Sequence, residues 1–202
     1  LITLTRWPSL VNSCPSVDDM AENTHDLCSG MRFTSESNGI EYLRVVRSAF
    51  AGEVQSSFEP KAKPCSTCET PGICCRDEHF VNVRVTRLEA AAISKRLDEL
   101  DQKKRDDVYF RSRSAVERYG LSGANGPDSK TYACPLFERG IGCLVHDSAK
   151  PLPCIAHACY ENKADLPPDE LLESHQAKVG GLNRRVYGKD SLPIPIPIAI
   201  LR

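Results

Sequence analysis

Two stretches decide how this chain is read: CSTCETPGICC, residues 65–75, and ACPLFERGIGCLVHDSAKPLPCIAHAC, residues 133–159. Together they hold eight of the ten cysteines in a chain of 202 residues. The first band carries Cys65, Cys68, Cys74 and Cys75; the second carries Cys134, Cys143, Cys154 and Cys159. Two residues separate Cys65 from Cys68, the loop spacing with which a tight turn presents two thiolates to one ion. Six residues further on comes the Cys74-Cys75 pair, and the second band lies in a region dominated by Pro135, Pro151, Pro153, Gly140 and Gly142. Such loops bend to tetrahedral thiolate positions that helices and strands forbid. Both bands are therefore expected to converge as halves of one metal-binding region.

Cysteine content this high implies either a disulfide framework or a metal site, and the compartment separates the two. A secretory signal needs an apolar run of roughly 7–15 residues near the start. Trp7, Pro8, Asn12, Pro15, Asp18, Asp19 and Glu22 interrupt the first thirty positions. No window reaches the roughly 18 apolar residues of a membrane helix. The expected compartment is reducing and cytoplasmic, with thiols available for metal and an extracellular disulfide scaffold disfavoured.

Eight thiolates match two four-coordinate centres, or one centre with the remaining thiols buried as small apolar groups. Zinc and an iron–sulfur cluster, a 4Fe-4S centre among them, both accept such ligands. His146 and His157 are substitute ligands within reach, and His79 is a weaker one. Cys14 and Cys28 are expected to be bystanders. No Ser-His-Asp pattern, phosphate-cradling glycine loop or paired His-x-x-x-His occurs, so no catalytic residue is assigned; Asp147 or Glu138 could act on a substrate held near the second band.

Outward from the bands the chain reads as mainly α with a short β element, a small metal-stapled domain rich in irregular loops. Residues 1–35 form an irregular N-terminal segment. Residues 36–190 form the helical cysteine-cluster domain, with its core motif at 65–160, and 191–202 a Pro/Ile tail. Ile40, Leu43, Val46, Ala49 and Phe50 recur at helical steps over 36–58. FVNVRV, 80–85, alternates as a strand. Thr86 and Glu89 form a capping box opening a helix to Leu100. A further helix spans 103–119, with Val108, Tyr109, Ala115, Val116 and Tyr119 inward. A last one starts near Pro168 and carries Leu171, His175, Val179, Leu182 and Val186 on one side. Region 131–160 is expected to be irregular and too poor in apolar side chains to fold without its ion. In SLPIPIPIAILR, 191–202, alternating proline is expected to leave an extended apolar strip on the surface.

Formal net charge is -1, and acid and base interleave on the 103–119 helix. The ligand is accordingly expected to be a metal ion, with no nucleic-acid or membrane partner.

The ordered cysteine pattern resembles the YkgJ-type cysteine-cluster family, described as zinc- or iron-chelating domains. That family shows a CxxC-like start ending in a Cys-Cys pair and a helical spacer. A Cys-Pro-rich segment, a Gly-x-Cys step and an Arg-Pro-x-x-Cys step follow before a last cysteine. The resemblance covers roughly residues 65–160 and implies Cys65, Cys68, Cys74, Cys75, Cys134, Cys143, Cys154 and Cys159 as chelators. This chain departs from it at Lys150, where the family has arginine before the proline, and at Ile155, where a basic residue commonly follows the cysteine. Two functions follow: a metal-binding module with a structural or stored ion, or an iron–sulfur redox or modification enzyme.

Overall fold

The structure, a computed structural model, describes residues 33–64, 67–76, 81–121 and 130–202. Cys14, Cys28, Cys65 and His79 lie outside the described residues, as does nearly all of the N-terminal segment. Among the described residues the protein is mainly helical, with six α-helices and six strands of two residues each.

Helix α1 (Glu36–Ser57) starts where Ser35 accepts a hydrogen bond from Asn38 N at 3.2 Å, satisfying one of the first-turn amides. Its buried face is Gly39, Leu43, Arg47, Phe50 and Val54, a run of three- and four-residue steps. Ala49, expected inward, is exposed, and Arg47 takes a place on the inner face instead. Gly39 lets α1 approach α5 (Asp169–Tyr187) closely: a Cβ there would stand 2.4 Å from Val186 Cγ2.

Helix α2 (Arg87–Asp98) carries the expected capping box, with Thr86 Oγ1 accepting from Glu89 N and Thr86 N donating to the Glu89 carboxylate at 2.8 Å. It buries Leu88, Ala92, Ile93 and Leu97. Helix α3 (Gln102–Tyr119) turns Val108, Ser112 and Ala115 inward, while Lys103–Asp107 and Lys104–Asp101 pair on its solvated side. Helix α5 buries His175, Val179, Leu182 and Asn183, and the Asn183 side chain accepts from Leu88 N at 3.1 Å, tying α5 to the start of α2. No helix of the described residues is long and apolar enough to cross a membrane.

Two expectations are overturned. The tail does not lie extended on the surface. Strand β6 (Ile194–Pro195) pairs antiparallel with β2 (Arg84–Val85), and helix α6 (Ile196–Leu201) follows at once, packed against α3. Ile194, Ile196, Ile198, Ala199 and Ile200 are all buried. Proline is compatible with this helix because Pro197 sits in its first turn, where backbone amides have no intrahelical acceptor to lose. The ladder that FVNVRV predicts is correspondingly short, although Val81 and Val85 are both buried as its alternation requires.

Region 131–160 is irregular as expected, but it is not poor in core contacts. Tyr132, Leu136, Leu144, Val145, Ala149 and Leu152 are buried in the same core as the helices. Leu136, Leu144, Val145 and Ala149 arrive from turns, Tyr132 from an irregular stretch and Leu152 from the start of a five-residue helix, none of them from a long periodic stripe. Tyr132 is the hub: its hydroxyl donates to Val83 O and accepts from Ile196 N, joining this region to β2 and to the tail.

Candidate metal centre

Short antiparallel pairings bring the two cysteine bands together. Strand β1 (Ala62–Lys63) pairs with β5 (Cys159–Tyr160), placing Cys159 opposite Lys63 at the entrance to the first band. Cys134 N donates to Cys75 O at 2.9 Å, a direct backbone link between the bands. Strands β3 (Phe137–Glu138) and β4 (Gly142–Cys143) form a tight hairpin whose turn uses positive φ at Gly140 and Gly142, a conformation that favours glycine. The hairpin folds Cys143 back across from Phe137, near Cys134. Cys154 lies in the short helix α4 (Leu152–Ala156), opened by Pro151 and Pro153.

Five thiols from four chain segments thereby fall within electrostatic range of one another. Cys75 feels Cys134, Cys74 and Cys154; Cys134 feels Cys154 and Cys143; Cys154 feels Cys143 and Cys74. Cys68 stays with its own loop, where its thiol donates to Thr70 O at 3.2 Å. Cys159 is exposed and stands with Cys74 on the wall of a neighbouring cavity. Cys65, the eighth expected ligand, lies outside the described residues. All seven described cysteines are thiols rather than disulfides.

The electrostatics divide the five. Cys74 and Cys75 share a hydrogen bond between their sulfurs. That bond is the main reason the Cys74 thiol falls to about 6, with Lys150 assisting, while the proton stays on Cys75, whose pKa is driven far up. Burial pushes Cys143 up, and Cys154 up to about 12, with the neighbouring Cys143 adding to the latter. Cys134 rises by burial and by the presence of Cys154. His157 is held below its ordinary value by burial and by Lys150, which favours the neutral ring a metal ligand needs. It lines the cavity together with His146.

Arg47 was missed by sequence reasoning. Buried at 6% exposure on α1, it donates through Nε to Lys150 O at 2.7 Å and through Nη1 to Ser148 O, strapping down the loop between Cys143 and Cys154. Burial lowers its pKa, opposed by the nearby Glu89 and Cys143. Arg111 on α3 plays a similar part for the second band, donating to Pro135 O at 2.9 Å. The available signal was position: residue 47 falls on the Leu43–Phe50–Val54 stripe, where an arginine must find acceptors or leave the face.

Soft thiol donors suit zinc and iron–sulfur chemistry, so the donor set fits either. Among the described residues no group of three or more His, Cys, Asp or Glu side chains is placed with ion-holding geometry. No family model, curated protein or solved structure matches the chain.

Proposed function

We propose that this chain is a metal-binding protein whose cysteine cluster chelates zinc or an iron–sulfur centre, stapling the loops 62–76 and 131–160 to the helices. One observation carries the reading: Cys74, Cys75, Cys134, Cys143 and Cys154 converge from four separate segments as reduced thiols. Scattered cysteines serving only as small apolar filler have no reason to meet in one place. The order of cysteines resembling the YkgJ-type pattern points the same way. Cys75, Cys134, Cys143 and Cys154 would form the inner set, with Cys74 beside them. Cys68 and Cys159 are further ligands available at the edge, where a second centre would draw on His146 or His157, and Cys65 remains a candidate from the sequence alone. A thiolate-saturated zinc would be structural, whereas an iron–sulfur cluster would supply one-electron chemistry. Reduced thiols in this number agree with a reducing, cytoplasmic setting.

A specific feature favours the enzyme alternative enough to keep it. A cavity of about 360 Å³ opens beside Cys74 and Cys159, between α1 and the loop carrying His146, Lys150 and His157. It offers room for a substrate against the sulfur-bearing wall.

Metal analysis and the visible spectrum of anaerobically purified protein test the reading. Colourless protein with one or two zinc ions per chain supports the structural module; brown protein with iron and acid-labile sulfide supports the redox alternative. Cys134→Ser and Cys154→Ser should each lower bound metal and thermal stability together. Wild-type protein that holds neither metal, or full occupancy in both variants, would remove the proposal.

A further inference from the structure

A second groove, which shares no lining residue with the cavity beside Cys74, has a different character. It measures about 480 Å³ and lies between the loop at Thr70–Arg76 and the β3–β4 hairpin. Whereas Glu59 and Asp147 offset the cations around the first cavity, no carboxylate is among the described residues lining this one. Its charged groups are Arg76 and Arg139, one from each loop. Neither guanidinium forms an ion pair with a carboxylate among the described residues. The floor is built for close approach. Gly72 has φ of 79°, and a Cβ there would stand 1.9 Å from Phe137 Cζ, so only glycine lets the aromatic ring lie on the loop. Gly142, with φ of 106°, turns the hairpin at the far wall. Beside it Ile141 stands 60% exposed, an apolar side chain next to two cations.

From these features the geometry points to a binding site for a small organic oxyanion, a phosphate monoester or a carboxylate with an apolar body. Arg76 and Arg139 grip the oxyanion, and Ile141 and the Phe137 ring contact the body. Guanidinium groups match planar pairs of oxygens bidentately, so two of them on facing loops fix both the position and the orientation of such a head group. The groove volume lies in the range that holds small ligands, roughly 300–1,000 Å³. This inference goes beyond the chelation reading, since it uses neither a thiol nor a metal ion.

The full chain as purified should be titrated with phenyl phosphate, benzoate and inorganic phosphate, with metal content measured on the same samples. Saturable binding of phenyl phosphate or benzoate is expected, and whichever binds more tightly assigns the head group. Arg139→Gln, at an exposed hairpin position that leaves the core untouched, should weaken binding at least about tenfold, and Arg139→Lys should recover little of it. Ile141→Ser should weaken phenyl phosphate but not inorganic phosphate. Binding by a chain found to hold no metal would support this site while removing the chelation reading. Absence of saturable binding for all three probes, or unchanged affinity in both Arg139→Gln and Arg76→Gln, would overturn it.

Discussion

The helical face and the cysteine loops contribute to one core by opposite means. In α1, α2, α3 and α5 a single stripe at three- and four-residue spacing supplies the buried side chains, and caps at Ser35, Thr86 and Asp101 fix where each of the first three begins. In residues 131–160 the ladders are two residues long, and Tyr132, Leu136, Val145 and Leu152 reach the core singly, from turns, irregular backbone and the start of a short helix. The helical side has local hydrogen bonding of its own. The loop side is held by side chains reaching across from elsewhere, notably Arg47 and Arg111 onto its carbonyls. Periodic burial defines a helix one turn at a time; loop burial depends on the whole assembly being present.

The two regions meet at Ile196, whose amide donates to the Tyr132 hydroxyl and whose side chain is fully buried. Ile196→Ala should have the largest effect on the comparison, costing about 2–5 kcal/mol through lost transfer energy and a cavity. A single denaturant transition with a lowered midpoint, followed by far-UV and near-UV signals alike, is expected. Separate transitions for the two signals would show that loops and helices are not one cooperative core.

Arg47→Met probes the loop side alone. The apolar stem remains while both carbonyl contacts are lost, a cost of roughly 1.5–3 kcal/mol for hydrogen bonds from a charged donor. Amide exchange should accelerate at residues 146–151 with little change in α2 and α3. Uniform acceleration throughout the chain would mean that the strap stabilises the fold globally and not the loop it touches.

Thr86→Ala is the smallest perturbation and falls on the helical side. Loss of the capping box should cost about 1 kcal/mol, read as a modest drop in midpoint, with bound metal unchanged. A fall in metal content in this variant would blur the division between the two regions.

What could be read in advance follows the same division. The 36–57, 87–98, 102–119 and 169–187 helices were legible because their apolar positions repeat, with a capping box marking the start of the second and proline the start of the last. The tail was misread because proline was taken to exclude helix throughout, although a six-residue helix can hold Pro197 in its first turn, where an amide is dispensable. The buried side chains of 131–160 escaped notice because residues such as Leu136 and Leu144 follow no period. Arg47 was hidden by its charge, which suggested solvent at a position four residues from Leu43 and three from Phe50. Cysteine spacing indicated which thiols to watch, but not that Cys68 would face its own loop while Cys74, Cys75, Cys134, Cys143 and Cys154 gathered.

X-ray absorption at the metal edge of anaerobically purified protein addresses most directly whether these sulfurs bind an ion. A zinc spectrum dominated by sulfur scatterers at about 2.3 Å, or an iron spectrum with sulfur and a second iron shell, is the expected result. A metal surrounded only by oxygen and nitrogen, or no bound metal at all, would contradict it.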